Sequence, residues 1–219
     1  MRFTKLGHAC VRLTTDAATV VIDPGAFSEP DAMVGADAVL ITHEHVDHVV
    51  PDTLRAAAAA NPDLEIWTNP AVAAQFPDLG GRVRAVTHGD TFEIGGAQGL
   101  SVHVYGEKHA VIHPDIAVID NVGFLIDGRV FHPGDAFTVP EEATPTLLVP
   151  AGAPWLKLGD AADYIREVAP EQAFLIHDGL YNDTGLALAE RLLTQLAGSD
   201  TRPIHHPRPG YTTTLATSG

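Results

Sequence analysis

Apolar positions along the chain fall in short runs rich in β-formers, separated by polar or glycine- and proline-bearing connections, and only a few stretches carry helical spacing. This pattern predicts strands over Arg2–Leu6, Ala9–Thr14, Thr19–Asp23 and Val39–Thr42, followed by a helix over about Pro51–Ala60 that opens on proline. Strands resume at Glu65–Thr68, Val83–Val86, Thr91–Ile94 and Leu100–Tyr105, with a short helix from Pro70 to Phe76. In the second half, Val122–Ile126 and Arg129–His132 flank Asp127-Gly128, a two-residue turn suited to a tight hairpin. A strand at Thr146–Val149, a helix near Gly159–Val168, a strand at Ala173–Ile176 and a helix near Thr184–Ala197 complete the pattern. Each half runs strands first and then alternates strand with helix. The expected fold is therefore α/β, a four-layer αββα sandwich of two mixed β-sheets with helices outside. Ala56–Ala60 reads as helix in this context, and neither a short-period repeat nor a long linker interrupts residues 1–219, so one domain is expected.

Composition narrows the partners. A chain of 219 residues can bury a substantial core. Its formal net charge of −15, with only 13 Lys plus Arg and no basic run, argues against a nucleic-acid surface, because such binding needs cations to displace counterions. No segment approaches the roughly 20 apolar residues that span a bilayer, and the first residues lack a secretory signal. The single cysteine, Cys10, sits in a strand-like run and reads as a buried, inert thiol in a reducing compartment. A cytoplasmic protein acting on a small molecule is expected, and an apolar edge leaves a homo-oligomer open.

The chemistry concentrates in residues 42–48, Thr-His-Glu-His-Val-Asp-His, which place His43, His45, Asp47 and His48 on one loop between a strand and a helix. Side chains alternate along extended backbone, so His43, His45 and Asp47 can share a side, while His48 joins them only if the chain turns. One loop could then serve two adjacent metals, His43 and His45 on the first, Asp47 and His48 on the second. Imidazole nitrogen and carboxylate oxygen suit Zn, Mn or Fe and leave positions open for water, as catalytic sites do. Further candidates follow strand ends elsewhere: His109 after Leu100–Tyr105, Asp135 after Arg129–His132, and His177 directly after Ala173–Ile176. Strand ends of α/β sheets commonly gather into one crevice.

These residues resemble the metallo-β-lactamase fold superfamily, whose His-x-His-x-Asp-His motif is matched by His43, His45, Asp47 and His48. The resemblance spans almost the whole chain. It implies His109 as the third ligand of the first metal, with His113 competing for that place, Asp135 of Pro-Gly-Asp as the bridging carboxylate, and His177 as the closing ligand of the second metal. Gly7-His8, Ile22-Asp23-Pro24 and Phe131-His132-Pro-Gly-Asp135 further resemble a branch of small cytoplasmic hydrolases that includes the ascorbate-6-phosphate lactonase-like proteins. By that likeness His8 is a candidate near the metals and the substrate, and Asp23 a candidate to orient a ligand imidazole. His132 reads as buried support, and His88, His103, His205 and His206 as structural or exposed. His45 stands where flavodiiron oxidoreductases carry Glu, no cysteine occupies a second-metal position, and no glyoxalase-type or nuclease-type insertion is present. Gly106–Asn121 has no close counterpart in the better-known members and is expected to line the substrate pocket.

The resemblance implies two divalent ions, Zn first among Zn, Mn and Fe, holding a shared hydroxide that attacks a small ester, lactone or phosphoester. Asp135 would bridge the ions, Asp47 would bind the second and hydrogen-bond the hydroxide, and His8 completes the catalytic candidates. Two alternatives stand beside it: a phosphodiesterase of the same fold, for which Lys108 or Lys157 would supply a pocket cation, and a metal-bearing regulatory protein without turnover.

Overall fold

A computed structural model describes residues 1–96, 99–197 and 203–215. Among the described residues fourteen strands form two seven-stranded sheets. The first contains β1 (Arg2–Lys5), β2 (Val11–Thr14), β3 (Thr19–Ile22), β4 (Ala38–Ile41), β5 (Glu65–Thr68) and β6 (Val83–Ala85), joined at its edge by β14 (Thr212–Thr214), in the order β14-β1-β2-β3-β4-β5-β6. The second contains β7 (Thr91–Ile94), β8 (Leu100–Tyr105), β9 (Gly123–Ile126), β10 (Val130–His132), β11 (Thr146–Pro150), β12 (Gln172–Ile176) and β13 (Ile204–His205), in the order β13-β12-β11-β10-β9-β8-β7. Both are mixed in the same way, with antiparallel pairs at the start of each half and parallel pairs from β3 to β6 and from β10 to β13.

Side-chain alternation builds the layers. In β4, Ala38 and Leu40 enter the central core with Phe3, Leu13, Ile22, Val102, Phe124, Leu148 and Phe174, which joins the two sheets. The intervening Val39 and Ile41 face the other way, onto Leu54 and Ala58 of α1 (Pro51–Ala60) and Val72 of α2 (Pro70–Ala73). The second sheet repeats the scheme: Leu125, Phe131, Leu147 and Leu175 pack on α3 (Leu158–Val168) and on Leu193 of α4 (Asp183–Leu196). Period-two burial thus gives the sheets two apolar faces and the helices one each, and the αββα sandwich follows.

The Asp127-Gly128 turn places both residues at positive φ, 57° and 59°, as a two-residue hairpin with right-handed strand twist requires. Three elements lie outside the expected set. β14 is built from three threonines at a sheet edge, and β13 is two residues flanked by Pro203 and Pro207, so neither carries an apolar alternation. Pro77–Arg82 forms a 3-10 segment broken by Gly80 at φ 57°.

Candidate metal centre

The carboxyl ends of β3, β4, β8, β10 and β12 meet at one rim of the sandwich. From β4 the chain runs through Thr42 and His43 and then turns, with His48 N–H and Val49 N–H both donating to the His45 carbonyl. That turn brings His48 back to the cluster. The loop needs Gly25 against it, because a Cβ there would sit 1.9 Å from the Asp47 carbonyl carbon. On the other sheet, β10 ends in Pro133-Gly134-Asp135. Gly134 lies at φ 64°, and a Cβ there would fall 2.2 Å from Asn121 Oδ1. Asn121 holds this corner, its Oδ1 accepting from Asp135 N–H at 3.0 Å and its amide donating to the Pro133 carbonyl at 2.9 Å.

Two groups result. His43, His45, His109 and Asp135 present donor atoms within 4.8 Å of one another, as do His8, Asp47, His48 and His177. The first group is the arrangement expected for a first metal, and the second holds the remaining candidates together with His8. His113 is largely exposed beside Asp115 and lies outside both groups. Gly106–Asn121 forms a narrow loop, with a bridge between Lys108 and Asp120 and a His109 N–H bond to the Ile119 carbonyl, and this carries His109 inward.

Hydrogen bonds select which nitrogen each imidazole offers. Thr42 donates its hydroxyl and its N–H to Asp23, leaving its oxygen to accept from His43 Nδ1 at 3.0 Å. His48 Nδ1 donates to Asp23 Oδ2 at 2.7 Å, His109 Nδ1 to the Ala110 carbonyl at 2.6 Å, and His177 Nδ1 to the Gly152 carbonyl at 2.7 Å. Each therefore aims Nε2 inward. His45 presents Nδ1, 3.1 Å from His43 Nε2. His8 is set the other way: its Nδ1 accepts from Gly179 N–H at 2.9 Å, so its proton lies on Nε2, facing Asp47 Oδ2 at 3.1 Å. A ring fixed in that tautomer donates to Asp47 and has no inward lone pair for a metal.

Charge in the cluster is uneven. Burial depresses His43 well below the usual imidazole range, with His48 adding to the effect, and burial followed by His109 depresses His45. For His48 burial acts in the same direction, but Asp135 and Asp23 outweigh it and raise the ring. Burial raises Asp135 and Asp47, yet the surrounding imidazoles prevail and both stay ionised. The buried His48, His109 and His177 Nε2 atoms and Asp135 Oδ1 make no well-formed hydrogen bond and face one another, each Nε2 lying 3.0 to 3.4 Å from the Asp135 carboxylate. Orphaned buried donors and acceptors are costly, and four in one place fit a bound cation.

Behind the cluster, fully buried Lys5 donates to the His8 carbonyl at 2.6 Å and to Asp178 Oδ1 at 2.8 Å, while His206 approaches Asp178 Oδ2 at 3.2 Å. His177 N–H also donates to the His8 carbonyl. His8, Asp23 and His177 have φ of 46°, 51° and 54°. His132 is buried between the Ala9 carbonyl and Gly134 N–H, in the supporting role expected of it. His103 pairs with Glu142, His205 stacks on Phe174, and His88 accepts from Gly106 N–H, all away from the cluster. Lys108 is engaged by Asp120, and Lys157 is exposed. Thr42, Asn121, Lys5 and Asp178 were not among the expected site residues. Lys5 had one signal, a charged residue at an inward strand position two after Phe3.

A four-layer sandwich with paired His/Asp groups at its strand ends is the architecture of the metallo-β-lactamase fold. The profile of the Beta-lactamase superfamily domain matches residues 2–177, and the chain belongs to that superfamily. It is similar to Protein Rv0786c of Mycobacterium tuberculosis, 37% identical over 206 residues, 91% of this chain and 94% of that one. It is also similar to the UPF0173 metal-dependent hydrolase MK1542 of Methanopyrus kandleri, 28% identical over 198 residues, 83% of this chain and 85% of that one. Among solved structures, the novel metallo hydrolase Igni18 from Ignicoccus hospitalis shares the fold with a TM-score of 0.75 at 20% identity, covering 99% of both chains.

Proposed function

We propose that the protein is a metal-dependent hydrolase, one catalytic unit over its whole length, whose paired groups hold two divalent ions and act on a small ester, lactone or phosphoester. The observation that carries this reading is the convergence of four buried atoms, on His48, His109, His177 and Asp135, that make no well-formed hydrogen bond and face one another between the two groups. The name of the Methanopyrus kandleri relative supports the same activity. His43, His45 and His109 would hold one ion, Asp47, His48 and His177 the other, and Asp135 would touch both. The imidazole-rich donor set favours zinc, ahead of manganese and iron.

Bound there, such ions supply Lewis acidity, which brings the pKa of water to about 7 and polarises the substrate oxygen. The protein's own groups supply orientation. Asp47, ionised and 20% exposed, is the carboxylate that accepts a hydrogen bond from the attacking water. His8 Nε2–H steadies that carboxylate from behind, and Asp23 fixes the His48 ring. The net charge of −15 supports a small substrate over a nucleic acid. Among the described residues no helix is long and apolar enough to cross a membrane. The free, buried Cys10 supports a reducing, cytoplasmic setting.

The test is elemental analysis of protein purified without added metal, beside His48→Ala. The expected result is a fall from about two ions per chain to one, with ester or lactone hydrolysis lost on chelation and restored on reloading. Folded protein that takes up no metal on reconstitution would overturn the reading.

A further inference from the structure

The Asp135 carboxylate is held by an unusual donor. Trp155, half-buried on the connection between β11 and α3, donates its indole N–H to Asp135 Oδ2 at 2.9 Å. That same oxygen lies 3.0 Å from His177 Nε2 and 3.4 Å from His109 Nε2, so it sits between one imidazole of each group. The ring is itself propped: Phe137 meets it edge-on at 5.2 Å, Phe137 lies 5.0 Å from the Tyr164 ring, and Tyr164 of α3 anchors its hydroxyl on the Thr138 carbonyl at 2.7 Å. A column of three aromatics therefore runs from the helix layer to the carboxylate.

We propose that Trp155 is a positioning residue that sets the orientation of Asp135, and through it the affinity of the paired metal site. The inference rests on the metal-site reading above. The backbone of Asp135 is fixed by Asn121, but the terminal torsion of an aspartate is broad and two-fold, so its carboxylate needs an external hold. Histidine could not provide it in the loaded protein, because the inward Nε2 atoms would be the ones that ligate. Indole can, since it carries one N–H donor, has no acceptor and does not titrate, so it steadies the carboxylate without competing for the ion. Outer hydrogen bonds of this kind commonly govern metal affinity by about 10–100-fold.

The test uses Trp155→Phe, which keeps an aromatic ring against Phe137 while removing the N–H together with the pyrrole part of the indole. Chelator competition on the intact protein should show metal affinity lowered by about 10-fold or more. The cobalt-substituted variant should show a shifted visible spectrum, because the Asp135 carboxylate would be free to rotate. Tryptophan emission is a second readout: Trp155 reports metal uptake, whereas Trp67, stacked on Phe92 with 3.7 Å between ring centroids and lying outside both ligand groups, stays silent. The wild-type emission should change on loading and that of the variant should not. Unchanged affinity and an unchanged cobalt spectrum in the variant would overturn the positioning role alone. A wild-type protein that binds no metal would overturn both this role and the reading it rests on.

Discussion

Lys5→Met should destabilise the protein by about 3 kcal/mol, the lower end of the range for breaking one side of a buried ion pair. Lys5 has no exposure and donates two short hydrogen bonds, to Asp178 and to the His8 carbonyl. Methionine preserves the apolar stem, so the change isolates the ammonium. It leaves the buried Asp178 with His206 as its remaining partner, and leaves the His8 carbonyl with the His177 N–H. Removing the lysine also removes its own desolvation cost, which is why its pKa is lowered despite Asp178, and this holds the loss to the lower end. For a chain of this size each kcal/mol moves the melting midpoint by about 2–4 °C, so a fall of roughly 6–12 °C is expected. Urea unfolding of metal-free protein, followed by circular dichroism, gives the free energy directly. Lys5→Met combined with Asp178→Leu should recover most of the loss, since an apolar pair leaves no orphaned charge. A single-variant loss under about 1 kcal/mol, or a double variant as unstable as the two singles summed, would refute the reasoning.

Burial pushes the Cys10 thiol up to about 12, so native protein should resist alkylation at pH 8 and react only on unfolding, which a thiol-labelling time course with and without urea will show. In metal-free protein, burial acts to lower His177, but Asp135 and Asp47 raise it from 6.5 to about 9. That interaction stabilises the metal-free fold fully below pH 6.5 and is lost as pH rises through about 9, whereas an ion requires the neutral ring; metal uptake should therefore release protons and tighten with pH up to about 9, measurable with an indicator dye in weak buffer. Gly134→Ala, with its Cβ forced onto Asn121 Oδ1 at φ 64°, should cost about 2–3 kcal/mol and weaken metal binding together, checked by urea unfolding and chelator competition; wild-type values would refute the account of that corner.

The strands and helices were legible wherever burial imposes a period, as in β4, whose alternate residues face two cores. β13 and β14 were not, because edge strands of two and three residues borrow their order from a neighbour rather than from a pattern of their own. The ligand-type residues were readable for a local reason in one case and a topological reason in the others. His43 to His48 share a loop, while His109, Asp135 and His177 stand after strands. The choice between His109 and His113 needed the Lys108–Asp120 bridge, which folds one inward and leaves the other outside. Lys5, Asp178 and Trp155 act across the fold, Lys5 and Asp178 from 173 positions apart, and no local spacing announces such a pair.

The left-handed φ values of His8, Asp23 and His177 have a thermodynamic consequence. Each non-glycine residue held in that region gives up about 1–3 kcal/mol of backbone energy, which the hydrogen bonds of its side chain must offset. Glycine has neither imidazole nor carboxylate, so relief of strain and loss of chemistry are inseparable at these positions. A glycine at Asp23 would relax that residue and at once strip the Thr42 hydroxyl and the His48 ring of their buried acceptor, so the strained backbone persists because the hydrogen bonds around it outweigh its cost.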